Sequence, residues 1–128
     1  MNLKQLYTPI SVGINLNRKI DSSALRELNF IDLVLRNDLR DANAEQKFYE
    51  QLKRFVQKGN NVFLVAPYDN HQIPIAISMV FGISRKLPYI VYFDTKNDPN
   101  FANPLVCSLE SIRWRSEQAT ELQSAYLR

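Results

Sequence analysis

The first clear pattern in the chain is an alternation of apolar and polar side chains between Ile10 and Leu16. Positions 10, 12, 14 and 16 are apolar and their neighbours are small or polar, which predicts a strand with one buried face. The polar residues from Asn15 to Lys19 would form the exit of this strand, where a loop can contact a ligand.

The period changes after Asp21. Apolar side chains at 25, 28, 31 and 35 are three or four residues apart, which predicts a helix. The run 30–35 could instead be a short buried strand that follows a brief helix. We favour the helix and keep the strand as the alternative.

A further helix is predicted over 43–58. Asn43 and Gln46 have the spacing of a capping box, and apolar side chains at 48, 52, 55 and 56 define one face. Basic side chains near the end favour the negative pole of the helix dipole, and Gly59 supplies a left-handed terminating residue.

The stretch 59–94 holds the densest apolar material. The run 62–66 is continuously apolar, as expected for a strand buried on both faces. The segment 73–85 alternates like a strand, yet its small residues also suit a buried helix, in which Pro74 would occupy the first turn. We favour the helix, because it makes a parallel strand–helix–strand unit with 89–93.

The last part of the chain is predicted to contain one strand and one helix. Residues 95–104 read as a surface loop and 105–114 as a last, weaker strand. Ser116 would cap a closing helix whose inner face consists of Ala119, Leu122 and Tyr126.

These elements predict a single α/β domain over 1–128, built on a small, open, mainly parallel sheet of four to five strands flanked by helices. The alternative is an α+β fold with an antiparallel meander over 61–94.

Composition narrows the class of protein. Apolar residues make up 45% and charged residues 23% of 128 residues, which is ordinary globular usage. The net charge is only +3 and the charges alternate in sign, which argues against nucleic-acid binding. Cys107 is the single cysteine, and no apolar run reaches the ~18 residues that span a bilayer, so we expect a cytoplasmic protein without disulfides or membrane segments.

Polar side chains cluster after the predicted strands. Because the carboxyl ends of parallel strands meet at one edge, three loops, 15–19, 67–72 and 94–97, would come together. The candidate catalytic residues there are Asp69 and Asp94, and the candidate ligand-binding residues are Arg18, Tyr68 and His71. Each also has a plainer interpretation: turn chemistry for Asp69, a loop cap for Asp94, and a spectator in an exposed loop for His71.

Common enzyme signatures are absent from the sequence. The three glycines, Gly13, Gly59 and Gly82, are too far apart to form a phosphate loop or a dinucleotide fingerprint, and one histidine with one cysteine cannot make the usual zinc site. We therefore predict no metal and no cofactor, and leave open whether the protein is an enzyme.

Residues 60–128 resemble the nucleoside 2-deoxyribosyltransferase-like fold and the related Toll/interleukin-1 receptor-like domains. The likeness lies in the strand 62–66, a polar loop, the segment 75–83, and a step through Lys86-Leu87-Pro88 into the strand that ends before Asp94. The resemblance implies a pocket for a nucleoside or nucleotide, and it makes Ser78, which stands where those enzymes place a catalytic glutamate, a further candidate ligand-binding residue. The segment 73–85 contains no carboxylate, so N-glycosidic chemistry would need Asp69 or Asp94 instead.

Two hypotheses from different classes result. The first is a domain that binds a nucleoside- or nucleotide-like molecule, with possible N-glycosidic bond chemistry. The second is a non-catalytic interaction or adaptor protein that forms a homodimer or binds a protein partner through Arg113, Trp114, Arg115 and Tyr126.

Overall fold

The structure is a computed structural model of the 128-residue chain. It describes residues 10–17, 19–20, 30–33, 42–66, 72–93, 96–97 and 103–126, without the side chains of 42 and 124–126.

Within these ranges the chain forms five strands and three helices. In chain order they are β1 (Ser11–Asn15), β2 (Ile31–Asp32), α1 (Ala42–Phe55), β3 (Asn61–Val65), α2 (Ile73–Ser84), β4 (Tyr89–Tyr92), β5 (Leu105–Ser108) and α3 (Leu109–Tyr126).

The strands form one sheet in the order β2-β1-β3-β4-β5. The first four are parallel, with Ile14 beside both Ile31 and Leu64, and Leu64 beside Ile90. Only β5 is antiparallel, along β4 at the edge. The predicted mainly parallel α/β sheet is confirmed, and the antiparallel meander is not formed.

Two apolar clusters cover the two faces of the sheet. On what we call the helix face, side chains of β1 and β3 such as Ile14 and Leu64 pack with residues of α1 and α2, among them Leu52 and Val80. On the opposite face Phe63, Val65 and Val91 pack with Ile20 and with Phe30, which belong to the connection between β1 and β2. Because successive side chains of a strand point to opposite faces, continuously apolar β3 is buried on both sides.

The ambiguous segment 73–85 is a helix over Ile73–Ser84, as favoured from the sequence. Pro74 lies in its first turn, where a missing N–H costs nothing. The helix ends at Arg85, which adopts a left-handed conformation with φ 65° and donates its N–H to Phe81 O at 2.9 Å.

The favoured helix over positions 25–35 is wrong at Ile31 and Asp32, which form the short parallel strand β2. The alternative strand within 30–35 is correct there, and 21–29 and 34–35 lie outside the described residues. Pairing with β1 outweighs the helical spacing, because Asn15 O accepts the N–H of Leu33 at 3.1 Å and so extends the ladder.

The predicted strand 105–114 is wrong beyond Ser108, where α3 begins directly. Ser108 is the residue that caps this helix, because its Oγ accepts the N–H of Ser111 at 3.2 Å. Ser116, the predicted cap, lies inside the helix, and its hydroxyl donates to Ile112 O. The predicted inner face is also wrong at Ala119 and Leu122, which are exposed.

Candidate functional site

The carboxyl ends of β1 to β4 share one edge of the sheet, and this edge is the candidate site. Parallel pairing continues slightly past the strands there: Leu16 N–H donates to Val65 O at 3.2 Å, and Ala66 N–H donates to Val91 O at 3.0 Å. Loops that follow neighbouring strands therefore begin within a few ångströms of one another.

Asn15, at the end of β1, holds this edge together through its side-chain hydrogen bonds. It is 3% exposed, and its Nδ2 donates both to Ile20 O and to Asp32 Oδ1, each at 2.9 Å. Its Oδ1 accepts the N–H of Asn17 at 3.0 Å. One buried amide thus ties the loop after β1 to the end of β2, and all of its bonds are satisfied within the protein.

The same edge carries exposed charge of both signs. Asp32 is the last residue of β2 and is exposed, with one carboxylate oxygen held by Asn15. Lys19 is exposed in the loop after β1, and its backbone N–H donates to Asn17 Oδ1 at 3.0 Å. A fixed carboxylate accepts hydrogen bonds from hydroxyl groups, and an exposed ammonium attracts anions.

The N-terminus of α2 adds a third feature. Gln72 precedes the helix and is 6% exposed, and its side chain makes no capping hydrogen bond to the first turn. The N–H groups of that first turn carry the positive end of the helix dipole toward the edge where β3 ends.

Most of the predicted site residues lie outside the described residues. Arg18, Tyr68, Asp69, His71 and Asp94 all belong to this group.

Ser78 is described, and it is exposed on α2. It stands on the side of the helix away from buried Ala76, Val80 and Ser84, and five residues after the helix start, so it lies off the strand edge. Of the third predicted loop, Lys96 and Asn97 are described and both are exposed.

The predicted partner surface lies on α3. Trp114 is 60% exposed, and Arg115 is also exposed, with its Nε donating to Ser111 O at 3.4 Å. Arg113 forms ion pairs at 3.0 Å with Glu110 and at 2.8 Å with Glu117. Tyr126 is the last residue of the helix, and its side chain is not among the described ones.

Glu110 ties this helix to the sheet. Its Oε1 accepts the N–H of Leu87, just before β4, at 3.1 Å. That bond, followed by Arg113, holds the pKa of the Glu110 carboxyl below its usual value, although partial desolvation acts in the opposite direction.

Sequence reasoning missed Asp32 and the central role of Asn15. The position of Asp32 at a strand end was missed because Ile31 fitted a helical spacing. Asn15 was recognised only as part of a polar strand exit. No local signal singled out Asp32, because it interrupts the apolar run 30–35 and only the pairing of β2 with β1 places it at the strand edge.

No group of three His, Cys, Asp or Glu side chains within the described ranges is placed to hold a metal ion. Among the helices that the structure describes, none combines the length and the apolar character needed to cross a membrane. Comparisons of the chain with models of protein families, with curated proteins and with solved structures find no match.

Proposed function

We propose that the protein is a cytoplasmic domain that binds a nucleoside- or nucleotide-like small molecule at the carboxyl edge of β1 and β3. The observation that supports this is the reversal of strand order at that point. The connection after β1 packs Ile20 on the opposite face, whereas α2, which follows β3, packs on the helix face. Connections that leave neighbouring strands toward opposite faces open a crevice between them, which is where open α/β sheets bind ligands.

The described groups at this crevice suit such a ligand. Asp32 would accept hydrogen bonds from sugar hydroxyls, and the hydrogen bond from Asn15 Nδ2 to Asp32 Oδ1 fixes the orientation of its carboxylate. Lys19 and the first turn of α2 would favour a phosphate or another anionic group. Tyr68, which follows β3 in the sequence, is the predicted stacking partner for a base.

The experiment is a thermal-shift titration of the full chain against a panel of nucleosides and nucleotides. A ligand at about 100 times its Kd stabilises the folded state by about 2.7 kcal/mol, which raises the Tm of a chain this size by several degrees. The matched variants are Asp32→Asn, which keeps an oxygen to accept from Asn15, and Glu45→Gln, which removes an exposed carboxylate on α1.

We expect Asp32→Asn to weaken the best ligand by about tenfold or more and Glu45→Gln to leave it unchanged. Asp69→Ala and Asp94→Ala extend the series to the predicted carboxylates of the loops. If no ligand raised the Tm at millimolar concentration, this function would be excluded. Equal increases in Tm for Asp32→Asn and Glu45→Gln would also exclude it.

Chemistry is a separate question from binding. The resemblance to deoxyribosyltransferase-like proteins supports an assay for cleavage of the N-glycosidic bond of nucleosides, with Asp69 or Asp94 in place of the missing glutamate. Release of free base by the wild type, and its loss in the alanine variants, would assign the reaction. Binding without release would leave a non-catalytic receptor for the same ligand.

A further inference from the structure

Exposed large apolar side chains concentrate on two surfaces of the described chain. Of the eight such side chains, three lie on α2, β4 and β5 and three lie on α3. The first group is Phe81, Tyr92 and Leu105, and the second is Ile112, Trp114 and Leu122.

The first group forms one surface on the helix face of the sheet. Tyr92 pairs directly with Leu105, and Ile90 pairs with Cys107. Ile90 packs against the core of the helix face, so the strand alternation places Tyr92, Leu105 and Cys107 on that face as well. Tyr92 is 46% and Leu105 45% exposed, so the sheet is left uncovered where it extends past α2.

Phe81 borders this uncovered area. Right-handed connections place α2 over β3 and β4, antiparallel to the strands. With Ala76 and Val80 toward the sheet, the helical rotation directs Phe81 toward β5 and Met79 toward α1. We call Phe81, Tyr92, Leu105 and Cys107 the β4–β5 surface.

The second group forms one half of α3. At about 100° per residue, Trp114, Leu122 and Ile112 fall within one half of the helix circumference, which also holds Arg115 and Gln118 and which we call the apolar half. The other half carries Glu110, Arg113, Glu117 and Glu121. Every described side chain from Ile112 to Gln123 is exposed, so this apolar half packs against nothing in the described part of its own chain.

The helix has no path back to its own β4–β5 surface. Strand β5 ends at Ser108 and α3 begins at Leu109, so no connecting residue can reverse the chain. Glu110 also fixes the first turn to Leu87, at the end of the sheet where β4 begins. An apolar helix half and an apolar sheet face that cannot meet within one molecule can meet between two.

We propose that the protein forms a two-fold dimer in which the apolar half of α3 from each copy packs on the β4–β5 surface of the other. Two-fold symmetry uses both surfaces of both copies and leaves neither free to propagate into a filament. The helix-to-sheet contact is made twice, once by the helix of each copy. Two contacts of an 18-residue helix can together bury the ~1,200–2,000 Å² that is typical of stable complexes.

The test measures the mass of the full chain by sedimentation equilibrium from about 1 to 100 μM. The variants are Leu105→Lys and Phe81→Lys on the β4–β5 surface and Leu122→Glu on α3. All three positions are exposed, and Phe55→Lys on α1, where Phe55 is 39% exposed, is the matched control. We expect a wild-type dimer, a Kd raised by about 10- to 100-fold in each interface variant, and no change in the control.

Mixing Leu105→Lys with Leu122→Glu separates this arrangement from its rivals. The unaltered helix of the first variant meets the unaltered surface of the second, and the new glutamate meets the new lysine, so a heterodimer should form. A monomeric wild type would overturn the proposal. So would a dimer that is sensitive to Leu122→Glu but not to Leu105→Lys or Phe81→Lys, because that pattern means helix-to-helix pairing or another contact.

Discussion

Gly13 is the residue in β1 that lets the connection after this strand close onto the sheet. A Cβ at this position would lie 2.7 Å from Cγ and Cδ1 of Phe30, which is shorter than van der Waals contact. The Phe30 ring packs in the cluster of the opposite face, so it covers the strand only because Gly13 has no side chain.

Gly13→Ala should therefore destabilise the protein by about 1–3 kcal/mol, because the Phe30 ring must move out of its packing position. The matched control is Gly82→Ala, in the helical part of α2, where an added Cβ meets nothing within 4 Å. That change should stabilise by about 0.5–1 kcal/mol through helix propensity. The change in urea midpoint, at a constant m-value, measures the change in unfolding free energy for each variant. A Gly13→Ala variant as stable as the wild type would contradict the packing argument.

Asn15 provides the second test at this scale. Asn15→Asp replaces the donor to Ile20 O and Asp32 Oδ1 with a carboxylate, and so leaves a buried acceptor beside an acidic neighbour. We expect a loss of about 2–4 kcal/mol near pH 7. Asn17→Asp is the control, because the Asn17 side chain accepts the N–H of Lys19, which a carboxylate also does.

The pH dependence of Asn15→Asp has a definite sign. Burial and the neighbouring Asp32 would raise the pKa of the new carboxyl in the folded state, so the penalty grows as pH rises above the ordinary aspartate range. Denaturation curves should show the gap to the wild type narrowing on acidification. A gap that stays constant down to about pH 4 would mean that the lost donor bonds, and not the charge, dominate.

At the scale of elements, the junction between β5 and α3 is the least expected feature. A strand passes into an 18-residue helix without a loop, with Ser108 as the cap and Glu110 in the first turn. The sequence contains the same signal twice, since Ser108 and Ser116 are each followed by a glutamate within two residues. Nothing in the local pattern decides between them, because the choice depends on where Leu87 lies in space.

Glu110→Ala should release the tie between α3 and the sheet. We expect faster hydrogen exchange at the Leu87 amide, whereas Glu117→Ala, which removes only an ion pair with Arg113, should leave that amide protected. The loss of global stability should stay below about 1 kcal/mol, because the carboxylate is 40% exposed and exposed charges are well solvated.

The contribution of Glu110 also depends on pH in a known direction. Its folded-state pKa lies below the usual value, so the stabilisation is fully present at neutral pH and is lost as pH falls through the folded-state pKa. The stability difference between the wild type and Glu110→Ala should therefore shrink in acid. A difference that grows in acid would show that the Leu87 contact is not made by the ionised carboxylate.

At the scale of the whole molecule, the parallel sheet was predictable because several local signals agreed. Continuous apolar character marked β3, a helical face marked α1, and Pro74 allowed the helix that makes β3 and β4 parallel. A fold can be predicted from the sequence when propensity, hydrophobic pattern and topology agree in this way. Gly59 was expected to end α1, but the helix ends at Phe55, and the positive φ of Gly59 belongs to the turn before β3.

The parts that were not predictable depend on partners distant in sequence. Asp32 becomes an edge residue only because β2 pairs with β1, and its two-residue strand has no periodicity of its own. The exposure of α3 could not be predicted from the sequence either, because the spacing of its apolar residues is the same whether the helix packs on its own sheet or on another molecule. The strand edge and the β4–β5 surface involve different residues, so ligand binding and dimer formation can be tested separately.

The pairing of β1 with β3 also sets the timing of events during synthesis. Ser11 is held against Asn61, about 50 residues later in the chain. At about 5–20 residues per second, a ribosome takes several seconds to deliver β3 after β1, whereas an intervening helix such as α1 can form within microseconds. Until β3 emerges, β1 can pair only with β2, at Ile14 and Asn15, so most of its length waits for a partner while the nascent chain lengthens, and this is the interval in which chaperones would protect the apolar side chains.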